Sequence, residues 1–231
     1  MRINKYLSSC GFGSRRKVEE LIKNGEVFIN GQKAVLTDSV DSFSVVSVRG
    51  KKVSPENKFY YAFNKPKGVI SSNFEKFAKT TVADFFDEKS IFICGRLDKD
   101  SHGLMILTND GDFTYKLTHP SFEHEKEYLV QARTSGKDLS EKFAYAIKLF
   151  KCGHVLDGKK IAPASIKMIS QDGGRAEFLI ILTQGVKRQI RRTFEKAGIK
   201  ALDLNRTRIG KFCLRNLKEG EYRKISPIEV I

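Results

Sequence analysis

A carboxylate sits in the polar stretch Gly95-Arg96-Leu97-Asp98-Lys99-Asp100-Ser101, between the apolar runs Ile91-Phe92-Ile93-Cys94 and Leu104-Met105-Ile106-Leu107. Two buried strands joined by such a loop are a rigid way of presenting one reactive group to a substrate. Asp98, with Arg96 two residues before it, is the candidate for that group. A plain charged turn, with Asp98 as turn-former or ion-pair partner, is the alternative for this loop taken alone. A second cluster, Thr183-Gln184-Gly185-Val186-Lys187-Arg188-Gln189-Ile190-Arg191-Arg192, ends a strand at a glycine and puts four cations into its last six residues. Cations at a helix N-terminus oppose the macrodipole, so an outside partner such as a phosphate or a carboxylate is expected for them. In the third, His124-Glu125-Lys126-Glu127-Tyr128-Leu129-Val130, strand periodicity sets Lys126, Tyr128 and Val130 on one face. An aromatic ring beside a cation suits stacking on a base while holding its phosphate; a core tyrosine is the common alternative.

The elements that must position these groups can be read in outline. Arg2 to Ser9 and Arg15 to Asn24 have helical apolar spacing, the second with Val18, Leu21 and Ile22 on one side and Ser14 as N-cap. Gly25 suits the end of that helix, and Asn30-Gly31 predicts a type I′ hairpin turn after Val27-Phe28-Ile29. Further strands are expected near Ala34-Val35-Leu36 and over 45–48, then a polar linker over 51–58. Strands over 59–64, 69–72, 127–131 and 175–183 alternate irregularly with a helical turn near 81–86 and helices over 110–117, 140–150 and 187–196. That order lacks a regular β-α-β alternation. It predicts an α+β chain: a small helix-helix-hairpin unit over 1–50 and a larger domain over 59–231 on a mixed, largely antiparallel sheet with flanking helices.

Composition narrows the partner. The 231 residues carry a formal net charge of +15 with 40% hydrophobic residues, enough to pack a core. Such an excess attracts polyanions by counterion release, which makes nucleic acid the expected partner. No long apolar segment points to a membrane, and Met1-Arg2-Ile3-Asn4-Lys5 lacks the apolar stretch of a secretory signal. Cys10, Cys94, Cys152 and Cys213 are scattered, without zinc-ligand spacing, and read as reduced, mostly buried thiols of a cytoplasmic protein. Arg2, Lys5, Arg15, Arg16, Lys17 and Lys23 gather on the two N-terminal helices, where charge and helix N-terminal amides can grip RNA phosphates.

The N-terminal pattern, with Gly11-Phe12-Gly13-Ser14-Arg15-Arg16 and Leu21-Ile22 before Val27, Ile29, Asn30 and Gly31, resembles the RNA-binding module named after ribosomal protein S-four. Gly95-Arg96-Leu97-Asp98, Lys126-Glu127-Tyr128 and Gly185 to Arg192, in this order, resemble the pseudouridine synthases of the RsuA/RluB/RluE/RluF family. Asn64-Lys65-Pro66-Lys67-Gly68 and Leu107-Thr108-Asn109-Asp110-Gly111 fit that family too, and the likeness runs from residue 2 to about 223. Details such as Asp98-Lys99-Asp100-Ser101 and Arg206-Thr207-Arg208-Ile209 lean to the RluF type, whereas Thr193 departs from the methionine usual after the arginine pair.

The resemblance implies an isomerase that converts a uridine of ribosomal RNA to pseudouridine with neither metal nor cofactor. It implies that Asp98 is the essential carboxylate, as nucleophile or as base at the ribose C2′, and that Arg191 pairs with it. Tyr128 would stack on the uracil, Ile190 close the pocket, and Arg96 fill the gap left by the flipped base, with Lys126, Arg188 and Arg192 contacting substrate. The expected substrate is 23S ribosomal RNA of the large subunit, free or in a ribosome assembly intermediate, bound by a cytoplasmic monomer. A small-subunit 16S enzyme and a non-catalytic ribosome-associated RNA-binding factor are the alternatives. An RNA methyltransferase fits poorly, because no Gly-x-Gly-x-x-Gly follows a strand.

Overall fold

Ile3 and Leu7 of α1 (Ile3–Ser9) and Val18 and Ile22 of α2 (Arg15–Lys23) turn their apolar sides to one cluster that also takes in Val27, Val46 and Val48. The Ser14 hydroxyl accepts the Lys17 N–H at 3.3 Å, and Gly25 ends α2 at φ +72°. In this computed structural model, which describes residues 1–72, 80–88 and 90–231, that cluster is roofed by a small antiparallel sheet. Its strands are β1 (Val27–Ile29), β2 (Gln32–Lys33), β3 (Val46–Val48) and β4 (Lys51–Lys52), in the order β2-β1-β3-β4. Asn30 and Gly31, at φ +51° and +81°, make the expected hairpin turn. Two expectations fail here. Residues 34–36 are not a strand, because Asp38 Oδ2 captures the Val35 N–H at 2.8 Å in a local turn. The first residues of the expected linker, Lys51 and Lys52, pair with β3 instead.

The rest of the described chain is built on a nine-stranded sheet. Its elements are β5 (Tyr60–Lys65), β6 (Phe92–Cys94), β7 (His102–Thr108), α3 (Gly111–Thr118), β8 (Lys126–Arg133), α4 (Leu139–Cys152), the hairpin β9 (His154–Leu156) and β10 (Lys159–Ile161), β11 (Ser165–Asp172), β12 (Arg175–Leu182), α5 (Gln189–Lys196), β13 (Lys200–Ile209), β14 (Phe212–Cys213) and β15 (Tyr222–Lys224). The order is β11-β12-β8-β13-β7-β5-β15, with β14 on β13, β6 on β7, and β9–β10 as a separate pair. The α+β architecture is therefore as expected. Val69–Ser72 is not the strand that apolar content suggests; Ile70 makes a single parallel bridge to Thr81. Asp138, not Ser140, precedes α4, and Cys94 alone of the four free cysteines is buried, with Cys152 and Cys213 exposed.

Every pairing in the large sheet is antiparallel except β7 with β13, which runs parallel at His102 and Gly103. This seam joins two antiparallel halves and lies directly after the Asp98 loop. β7 is a continuous apolar run because both its faces are covered. Leu104 and Ile106 pack with Phe113 and Leu117 of α3, and Met105 and Leu107 with the core that includes Phe143 and Phe150 of α4 and Phe194 of α5. Lys5 of α1 reaches Asp112 of α3 at 2.5 Å, tying the N-terminal unit to the sheet.

Gly103 is what lets the seam close. Its φ is +102°, and a Cβ there would lie 2.7 Å from the Arg206 backbone nitrogen and closer still to the Arg206 carbonyl. Gly103→Ala is expected to lower unfolding free energy by at least the roughly 1–3 kcal/mol of a strained non-glycine backbone. Denaturant melts check this, and a variant as stable as the parent would show that the seam is not tight.

Candidate active site

The loop from Gly95 to Ser101 is pinned along its length. Gly95 turns at φ +80°, Leu97 is buried, and the Ser71 hydroxyl donates to Leu97 O at 2.7 Å while accepting the Leu97 N–H at 3.1 Å. Lys99 O accepts the Gly68 N–H at 2.8 Å, and Asp98 O accepts the Ser101 N–H at 3.1 Å. Asp98 itself keeps its side chain one-third exposed, facing a cavity of about 520 Å³. A cavity of that size is in the range that accommodates a small molecule or a nucleoside.

That cavity gathers the separated sequence clusters. Arg96, Asp98, Lys126, Tyr128, Arg188, Ile190 and Arg191 all line it. Tyr128 is buried on β8, and Ile190 is buried at the start of α5. Lys126 turns its Nζ to the carbonyls of His124 and Thr183 at 3.0 and 3.3 Å. Burial, with the charge of Arg206 second, lowers its pKa. Arg96 is exposed at the rim.

The arginines divide differently from the expectation. Arg191 does not pair with Asp98: its Nη2 donates to Asp100 O at 2.9 Å and to the Ser101 hydroxyl at 3.3 Å, its Nη1 to Ala201 O at 2.8 Å, and its Nε lies 3.3 Å from Asp100 Oδ2. Among the described residues, the cation nearest Asp98 is Arg188, whose Nη1 is 3.8 Å from Asp98 Oδ2 and 3.1 Å from Asp100 Oδ1. Chain geometry explains the exchange. Arg188 is left-handed at φ +53°, so α5 begins at Gln189, two residues later than its charge pattern suggests. Gln189 closes that turn by accepting the Val186 N–H on Oε1. Arg192 pairs with Asp157 and does not line the cavity. Arg188, Arg191 and Arg192 thus have carboxylate partners within the chain, which offsets their conflict with the helix dipole.

Of the N-terminal cations, Arg2, Arg15, Arg16, Lys17 and Lys23 are exposed and away from the cavity, whereas Lys5 is committed to Asp112. Sequence reasoning gave no role to Ser71, Asp100 or Ser101, which hold the Asp98 loop, nor to the buried cations Lys65 and Arg206. Arg206 does carry a signal: in the alternation Ala201, Leu204, Arg206, Ile209 it occupies an inward position of β13.

Asp100 is the hub of this arrangement. Partial burial works to raise its pKa, but the hydrogen bonds and charges of Arg188 and Arg191 outweigh it and hold the carboxyl below its ordinary 3.8. A carboxyl depressed by folding adds stability above its unfolded pKa and loses it as pH falls through the folded value. The stability margin of the parent over Asp100→Asn is therefore expected in full at pH 6 and to vanish toward pH 2. Thermal melts of both chains across that range check it, and a margin independent of pH would contradict the clamp.

Residues 59–196 match the model of the RNA pseudouridylate synthase family, and residues 1–34 match the S4 domain. The chain is 38% identical to the ribosomal large subunit pseudouridine synthase B of Bacillus subtilis, over 99% of this chain and 93% of that one. It is 37% identical to the dual-specificity RNA pseudouridine synthase RluF of Escherichia coli, over 100% and 77%. Its fold superposes with TM-score 0.68 on a solved pseudouridylate synthase, 26% identical, over 99% of this chain and 97% of that chain. With a family model covering more than half its length and relatives matched from end to end, this chain belongs to the RNA pseudouridylate synthase family.

Proposed function

We propose that the chain isomerises a uridine of large-subunit ribosomal RNA to pseudouridine, with Asp98 as the essential carboxylate. The observation that carries this reading is the convergence of Asp98, Tyr128, Lys126, Ile190 and Arg188 on one cavity from three distant stretches of sequence. The large-subunit assignment is supported by the Bacillus subtilis relative, a ribosomal large subunit pseudouridine synthase.

The chemistry is redox-neutral. The bond from ribose C1′ to uracil N1 breaks with its electron pair on the base, the base rotates, and C5 then bonds to C1′. The C5 proton is lost and N1 gains one. Such a reaction needs a carboxylate that stays ionised, a surface to hold the loose base, and exclusion of water. Arg188 lies at the edge of Asp98, and the clamp on Asp100 fixes the loop that carries it. Tyr128 supplies a ring for stacking, and Ile190 an apolar wall. Asp98 serves as nucleophile at C1′ or as base at C2′; both routes put the same demand on its charge. Arg96, exposed at the rim, suits the gap left in the helix by the flipped nucleotide, a movement that costs a few kcal/mol. The exposed cations Arg2, Arg15, Arg16, Lys17 and Lys23 supply a sequence-independent grip on the phosphates.

Asp98→Asn is expected to cut turnover by about four orders of magnitude with the fold intact. Carbodiimide mapping of unmodified ribosomal RNA incubated with each chain checks it; an unaltered new stop with Asp98→Asn would remove the carboxylate from the mechanism. The triple variant Arg15→Ala, Arg16→Ala, Lys17→Ala should bind RNA more weakly and reduce the slope of log K against log salt by roughly 2. Filter-binding titrations at several salt concentrations measure that slope, and an unchanged slope would take these cations off the RNA.

A further inference from the structure

Arg206 lies on the face of β13 turned to the cavity, directly across the ladder from Tyr128 of β8, yet it is only 2% exposed. Its Nε donates to Leu104 O at 2.6 Å, and its Nη2 is enclosed with no acceptor. No carboxylate pairs with it among the described residues. Two other cations, one buried and one half-buried, feel its charge. Lys65, fully enclosed, gives its Nζ to the carbonyls of Pro66 and Val69 at 2.8 and 2.9 Å. Burial first and Arg206 second press its pKa down to about 8. Lys126, described above, is lowered by the same two causes. A fold rarely buries a guanidinium without a carboxylate or a full set of acceptors, since an unmatched buried charge is strongly unfavourable. Positive charge is thus concentrated beneath the stacking tyrosine, and part of its hydrogen-bonding capacity is unused.

We propose that Arg206 is a further catalytic residue, donating to a carbonyl oxygen of the target uracil and stabilising the negative charge that the base acquires when its glycosidic bond breaks. This rests on the reading that a uridine enters the cavity. The electron pair of the broken bond spreads from N1 to O2 and O4, which are the atoms a guanidinium edge can reach. It returns to C1′ through C5 as the new bond forms, so the donor is needed most between the two steps. A donor already fixed and desolvated before the reaction is the arrangement that stabilises developing charge most effectively. A phosphate is the poorer occupant. It would remain on the RNA backbone at the rim, where the exposed Arg96, Lys99 and Lys187 meet it, while Arg206 lies at the depth of the stacked base.

The test compares the full-length parent, Arg206→Met and Arg206→Lys on ribosomal RNA transcribed with uridine or with 5-fluorouridine, following single-turnover formation of the C-nucleoside by chromatography. That product is pseudouridine from uridine and, from 5-fluorouridine, whose C5 has no proton to lose, the fluorinated C-nucleoside with water added across C6 and N1. Fluorine withdraws charge from the leaving base, so the need for the donor falls. Arg206→Met is expected to slow conversion of uridine about a hundredfold with RNA affinity unchanged. It should lose at least several-fold less on 5-fluorouridine, and Arg206→Lys should fall between Arg206→Met and the parent. Equal losses on the two bases, or parental rates in Arg206→Met, would overturn the proposal in favour of a structural arginine. If Arg206→Met does not fold, the same comparison of bases with Arg206→Lys decides. The underlying reading fails separately, by a parent chain that forms no pseudouridine or by an active Asp98→Asn.

Discussion

The site depends on one ion cluster. Asp100 takes Arg188 through its carboxylate and Arg191 through its carboxylate and carbonyl, joining the loop before β7 to the turn that opens α5. The loop and the turn come from opposite sides of the sheet's parallel seam, almost ninety residues apart in sequence. Without this tie, the Asp98 loop would be held by Ser71 and Gly68 but not joined to α5. With it, two arginines compensate the acidic loop, the loop compensates the unfavourable charges of the helix start, and Asp98 is left facing the cavity with Arg188 at its edge.

The seam imposes the second constraint. β7 and β13 approach closely because residue 103 has no side chain, and that approach brings Arg206 against the backbone of Leu104, while the pairing of β13 with β8 sets it across from Tyr128. Packing, register and electrostatics therefore meet at the same few residues. Apolar contacts of α4 and α5 hold one side of the sheet and those of α3 the other, so the polar groups between them have little freedom to rearrange.

Local chemistry was legible in the sequence, and pairing across the sheet was not. Ser14, Gly25 and Asn30-Gly31 announce caps and turns because their backbone demands are local. Asp98, Lys126-Tyr128 and the arginine-rich turn stand out because their residue types are unusual for connections and strands. The exchange of partners between Arg188 and Arg191 was hidden, since it follows from a single left-handed residue that shortens α5. Arg206 was hidden for a related reason. An arginine in a charged string reads as surface until the alternation of β13 sets it among Leu204 and Ile209. Strand expectations failed where a side chain competed for the backbone, as Asp38 does at Val35.

The central question is whether the carboxylate in this clamped loop makes pseudouridine in the cell. Pseudouridine mapping of ribosomal RNA from cells lacking the gene, complemented with the wild-type chain or with Asp98→Asn, tests it most directly. The expected result is a large-subunit site that is lost in the deletion, restored by the wild-type chain and not by Asp98→Asn. Restoration by both chains, or no site lost at all, would contradict it.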